Sequence, residues 1–144
     1  MSDCGGFAED RSPDTGGAYC GDDALIWSYD STTETLSLVN TNVFLNCCGV
    51  HSMTVIEDSS TGGYVWTEID DPEVYDGEDA RCGCMCMFDY SVEIPSVTEG
   101  TVALQIDRSV SDNTPADWTA WSGTLDLTAG SGEEIIEADA GWCD

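Results

Sequence analysis

Along most of the chain, apolar and polar residues alternate with the two-residue period of a half-buried β-strand. Leu25, Trp27 and Tyr29 alternate with small or polar neighbours, and Leu36 and Leu38 repeat the pattern. Asn40-Thr41-Asn42 then interrupts before Val43-Phe44-Leu45. His51, Met53 and Val55 alternate next, and a turn at Ser59-Ser60-Thr61-Gly62-Gly63 leads into Tyr64-Val65-Trp66-Thr67-Glu68-Ile69. Residues 70–80, with Pro72 and Gly77, read as an acidic loop. The longest strand is expected over residues 84–94, followed by one through Val102, Leu104 and Ile106. Later apolar runs are Leu125 to Leu127 and Ile135-Ile136. No convincing helical stripe occurs, and residues 114–121 are the one place suited to a short helix.

Short strands separated by turn residues predict an all-β fold, an antiparallel β-sandwich of about eight strands. Residues 1–23 form a loop-like N-terminal arm, punctuated by Gly5-Gly6, Ser12-Pro13-Asp14 and Gly16-Gly17. Residues 24–144 form a single sandwich domain, and 144 residues with 41% hydrophobic content suit one core. Residues 123–144 are expected to return to the body, because Cys143 needs a partner.

Charge changes the picture of partners. The formal net charge is −26, from 29 acidic residues against three arginines and no lysine. Such a field repels phosphate backbones and anionic headgroups, which argues against nucleic acid and membrane surfaces. A basic patch on a protein or surface partner, or a hard cation, remains compatible. No stretch reaches the ~18–20 apolar residues of a membrane span. The opening Met1-Ser2-Asp3-Cys4-Gly5-Gly6 reads like a chain that begins just after a removed export signal.

Eight cysteines, an even number in a small acidic chain, favour a disulfide framework and an oxidising, extracytoplasmic compartment. Five of them lie in two segments, Asn46-Cys47-Cys48-Gly49-Val50-His51-Ser52-Met53 and Arg81-Cys82-Gly83-Cys84-Met85-Cys86-Met87-Phe88-Asp89. On a straight strand Cys82, Cys84 and Cys86 share a face at ~6.6–6.8 Å spacing, too far for the ~3.5–4.5 Å Cβ separation of a disulfide. Each therefore needs a partner elsewhere, and one metal ion cannot collect all three at thiolate distances of ~2.3 Å unless Gly83 kinks the chain. Cys47 and Cys48 are expected to pair with two of Cys82, Cys84 and Cys86, Cys143 with the third, and Cys4 with Cys20.

The same clusters allow a soft-metal alternative. Thiolates, thioethers and imidazole suit Cu(I), and Cys47, Cys48, Cys82, Cys84, Cys86, His51 and Met53 would be its ligands. The paired C-x-x-C spacing of zinc sites is absent.

The order Asn46-Cys47-Cys48, then Cys82-Gly83-Cys84-Met85-Cys86-Met87-Phe88-Asp89, then Gly100-Thr101-Val102-Ala103-Leu104-Gln105-Ile106 resembles uncharacterised bacterial lipoproteins and other exported proteins with cysteine-rich sandwich domains. The resemblance covers residues 36–108. It implies export, with an N-terminal lipid anchor on a cysteine preceding Ser2, and it carries no known activity. His51 and Met53 are not part of that pattern.

Other chemistry is thinner. The acidic residues 70–79 miss the EF-hand spacing, since counting from Asp71 puts Tyr75 and Asp76 at positions five and six. A calcium site of another kind is a weaker alternative, there or at residues 10–17. Carbohydrate stacking on Tyr64 with Trp66, or on Trp118 with Trp121, is another. One histidine, with no third group to orient it near Cys48, supports no nucleophilic catalysis. The expected class is thus a non-enzymatic, exported or surface-anchored module without a cofactor, structural or protein-binding in role.

Overall fold

A computed structural model describes residues 20–141. Nine strands form two sheets: β1 (Cys20–Asp30), β2 (Thr35–Asn46), β3 (Gly49–Asp58), β4 (Gly63–Tyr75), β5 (Glu78–Ala80), β6 (Met85–Ile94), β7 (Thr101–Val110), β8 (Asp117–Asp126) and β9 (Ser131–Gly141). One sheet has the order β6-β2-β1-β9. The other has the order β3-β4-β7-β8, with β5 added to the end of β4. The expected all-β sandwich is therefore present. No helix among the described residues is long and apolar enough to cross a membrane.

One pairing departs from the antiparallel expectation. β4 and β7 run parallel, because the chain leaves β4, visits β6 in the opposite sheet and returns in the same direction. A parallel pair needs such a long crossover.

The alternating residues meet between the sheets. Leu25, Trp27, Leu36, Leu38, Val43 and Leu45 from one sheet pack against Trp66, Val102, Leu104, Ile106 and Leu125 from the other. Burying each such side chain contributes ~1.5–3 kcal/mol. Tyr29 donates its hydroxyl to the Val97 carbonyl at 2.6 Å and so ties the link between β6 and β7 to β1.

Four local expectations are corrected. Asn40-Thr41-Asn42 does not end a strand; it forms a bulge inside the single strand β2, with Asn42 at φ 58°. Residues 70–80 are not a loop, since β4 runs on to Tyr75 and turns at Asp76-Gly77 into β5. That makes β4, with 13 residues, longer than β6. Residues 114–121 hold a cis Thr114–Pro115 peptide and the start of β8 rather than a helix. Aromatic and β-branched residues at 118–121 fit a half-buried strand better than a helix turn. The expected arm at residues 1–23 lies outside the described residues up to position 19, and its last four residues belong to β1.

Candidate functional site

The chain passes from one sheet to the other at Cys47-Cys48 and returns at residues 81–84. Two disulfides, Cys47–Cys86 and Cys48–Cys82, fasten these crossings together. Asn46 adds a polar brace: its side-chain amide donates to the Cys82 carbonyl at 2.8 Å and its oxygen accepts from Cys48 N–H at 2.9 Å. Cys47 N–H donates to the Cys84 carbonyl at 3.1 Å. The Asn-Cys-Cys motif is thus a corner in which all three residues grip the other crossing.

Cys47 and Cys48 do pair with two of the three downstream cysteines, as expected. The even strand spacing of those three is not kept. β6 begins only at Met85, residues 82–84 bend at exposed Gly83, and the Cys84 sulfur lies 3.4 Å from that of Cys82. Cys20 is also disulfide-bonded. Its proposed partner Cys4, and the pairing of Cys84 with Cys143, fall on residues outside those described.

The soft-metal alternative needs thiolates, and Cys47, Cys48, Cys82 and Cys86 are committed to disulfides. Met53 is exposed, whereas the His51 ring lies against Phe88 with centroids 4.1 Å apart. Among the described residues no group of three His, Cys, Asp or Glu side chains is placed to hold a metal ion. That statement extends to the acidic hairpin of β4 and β5; residues 10–17 lie outside it. Trp66 is fully buried in the core, which removes it as a stacking platform. Trp118 and Trp121 are half-buried. A bulge in β8 puts both on the inner face, opposite Arg108 and Ile106.

Beside the fastened corner, the facing strands switch from apolar to charged without changing phase. On β1 the inner series Tyr29, Trp27, Leu25 ends in Asp23, and on β2 Leu36, Leu38 leads to Asn40. On β4 Trp66 is followed by Glu68 and Asp70, and on β7 Leu104, Ile106 by Arg108. All five polar residues are buried. Arg108 Nη1 lies 2.7 Å from Asp23 Oδ2 across the sandwich, and Arg108 Nε donates to Glu68 Oε2 at 2.9 Å. The Asn40 amide donates to Glu68 Oε1 at 2.8 Å.

Burial raises the carboxyl pKa of both Asp23 and Glu68 above the ordinary values, although the Arg108 charge and hydrogen bonds act the other way. Burial works against the charge on Arg108, but the hydrogen bond to Asp23 and the field of Glu68 prevail and hold it protonated.

A second ion group joins the disulfide corner to this network. Arg81 Nη1 donates to Asp70 Oδ1 at 2.6 Å, and its Nε and Nη2 grip Asp112 at 3.0 and 2.7 Å. His51, opposite Asp70 in the β3–β4 ladder, brings Nε2 to 3.3 Å from the same Asp70 oxygen without the alignment of a hydrogen bond. The group closes over Gly49, where any Cβ would collide with the Asp70 carboxylate and the Arg81 guanidinium.

Between these features lies a cavity of about 450 Å³, open to solvent and lined from both sheets, with Asp23, Arg108, Arg81 and Glu137 among its walls and Trp118 and Met85 beside them. Sequence pattern did not single out these charged residues as a site. Their signal was present: polar residues standing on the apolar phase of four strands, charged on three of them, in a chain with only three arginines and no lysine.

Searches of protein-family models, curated proteins and solved structures find no match to this chain. The structure shows a cysteine-rich β fold with disulfides, and the likeness to exported sandwich domains rests on the residue pattern alone. The disulfides point to an oxidising environment.

Proposed function

We propose that the protein is an extracytoplasmic, non-catalytic binding module, whose rigid end holds the cavity between the two sheets. The observation that carries this reading is the position of the two disulfides. They fasten the chain where it crosses between sheets, and that corner supplies Asn46, Arg81 and Met85 to the cavity wall. Fixing a site in its bound form before the ligand arrives lowers the ordering cost of binding. A binding role also fits the engagement of the only histidine: His51 sits between Phe88 and Asp70, with no nucleophile arranged beside it among the described residues.

The test is the redox state of the cysteines in the producing cell. Thiols are trapped with an alkylating reagent at lysis, and the intact protein is weighed. Cys47, Cys48, Cys82 and Cys86 are expected to be unmodified. Alkylation of these four would place the protein in a reducing compartment and overturn the reading. Hydrogen exchange then gives the second half: β2, β6 and the 81–84 segment are expected to be protected when oxidised and to open on reduction.

A further inference from the structure

Four strands stand at the edges of the two sheets, β6 and β9 in one, β3 and β8 in the other. An edge offers unpaired backbone groups to any extended chain, and proteins blunt it with charges, bulges or proline. β9 presents Glu133, Glu134, Glu137 and Asp139, and register shifts break its ladder with β1. β6 carries Asp89 and Glu93 and pairs with β2 across a bulge. β8 is bulged against β7. From Gly49 to Ile56, β3 has none of these devices. It holds no Asp, Glu, Lys, Arg or Pro there, in a chain with 29 acidic residues. Its ladder with β4 runs without a register shift, and among the described residues it has no other strand partner.

The same strand leaves apolar side chains in solvent. Val50 is 57% exposed, Ile56 61% and Met53 37%. Val50 and Ile56 share one face with Ser52 and Thr54, and on that face Val65 and Ile69 of β4 stand opposite Ile56 and Ser52. Both ends of the edge are fixed. The Cys48–Cys82 disulfide precedes Gly49, and at the far end the Asp58 carbonyl accepts from Gly62 N–H at 2.8 Å. The Asp58 carboxylate also accepts from Ser60 N–H at 2.9 Å. A strand already held in place pays little ordering cost on pairing.

Charge decides what fits there. Exposed Glu57 follows Ile56, and at the other end exposed Asp71 stands opposite Val50, with exposed Glu73 beyond it. Both described arginines are already held by two carboxylates each. A second copy would bring a net charge of −26 against another of −26. A basic segment enters with the field, and cations at its two ends meet acids whichever way it runs.

We propose that β3 is a docking edge for an extended segment of a basic partner protein. The segment makes backbone hydrogen bonds along Gly49 to Ile56 and sets β-branched or apolar side chains beside Val50 and Ile56. Lys or Arg at its two ends faces the acids that flank the uncharged run. Among the described residues no wall of the cavity comes from β3, so this surface goes beyond the cavity reading and fails separately from it.

The experiment uses the full oxidised chain and three capped peptides: Lys-Thr-Val-Thr-Val-Thr-Val-Lys, its form with Glu at both ends, and its form with Pro for the central Val. Saturable binding of the Lys-ended peptide is expected, with amide shifts and added hydrogen-exchange protection along Gly49 to Ile56. The other two peptides, lacking the end charges or a backbone donor, should bind at least about tenfold more weakly. Ile56→Lys, at a position exposed enough to spare the fold, is expected to weaken binding about tenfold. Thr124→Lys, an equal charge change at an exposed residue of the β8 edge, is expected to leave it unchanged. Equal losses in the two variants would reduce the effect to general attraction by an acidic surface and overturn the proposal. So would shifts centred on another edge or on the cavity, or the absence of saturable binding. Sedimentation of the protein alone is expected to show a monomer. A dimer that Ile56→Lys dissociates would give the edge to a second copy and overturn the proposal.

Discussion

Glu68 and Arg108 stand directly opposite each other on the parallel strands β4 and β7, and the guanidinium Nε donates to the carboxylate at 2.9 Å in the interior. The same guanidinium reaches across the sandwich to Asp23, so one buried side chain links both sheets.

Removing that side chain strands two carboxylates. Arg108→Met is expected to destabilise the fold by about 3–5 kcal/mol, the usual cost of leaving buried charge uncompensated. Replacing Asp23, Glu68 and Arg108 together by apolar residues of similar volume is expected to recover most of that loss. Denaturant unfolding of the single and triple variants checks both. A triple variant no more stable than Arg108→Met would show that the network is needed for more than charge balance.

Acidity is expected to favour the fold down to a limit. Asp23 and Glu68 have folded pKa values above their ordinary 3.8 and 4.5. Between those ordinary values and the raised ones, the native state holds protons that the unfolded chain has released, so stability falls as pH rises through that window. Asp112 has the opposite sign, since the Arg81 hydrogen bond lowers its value, and hydrogen bonds from Thr32 and Ser60 lower Asp30 and Asp58. Their contribution is present above 3.8 and lost as pH falls through their lowered values. Melting temperature is therefore expected to be lower at about pH 7 than at mildly acidic pH, and to drop again in strong acid. Glu68→Gln is expected to flatten the rise; an unchanged slope would remove Glu68 as its source.

Gly49 is where the corner admits no side chain. Gly49→Ala would push a methyl group into Asp70 and Arg81, and overpacking of this kind costs about 1–3 kcal/mol. Thermal unfolding is the measurement. In an Arg81→Ala background, itself destabilised by loss of the Asp70 counter-ion, the added cost of Gly49→Ala should be smaller, because one of the two colliding groups is gone.

The disulfides close loops of similar length, with sequence separations of 39 and 34. Replacing Cys48 and Cys82 together by Ala is expected to cost about 2–4 kcal/mol. The companion loss in hydrogen-exchange protection should centre on residues 81–84. An effect confined to the far end of the sandwich would contradict the bracing role.

The β-fold was legible because burial on one sheet face imposes a two-residue period, and Leu25-Trp27, Leu36-Leu38 and Leu104-Ile106 keep it. Where tertiary context overrides local signal, the local pattern misleads. Asn40-Thr41-Asn42 looks like a turn, yet a bulge absorbs it because β1 and β6 continue on either side. Pro72 and the acids around it look like a loop, yet they lie in the β4 portion that meets β3 and β5. The pairing of Cys47 and Cys48 with downstream cysteines followed from parity and facing. The Gly83 bend that brings Cys84 against Cys82 did not. The charged site was hidden for a different reason. Arg108 is neutralised by residues 40 and 85 positions away, and no local pattern encodes such partners.

The use of Arg81 and Arg108 as internal counter-ions has a consequence for proteolysis. The chain has no lysine, and these are the two arginines among the described residues. A protease that requires a basic side chain in its specificity pocket must extract a guanidinium from two carboxylates before it can cut. Cleavage at either position thus reports local opening of the charged end rather than surface accessibility, and its rate is a clock for that opening.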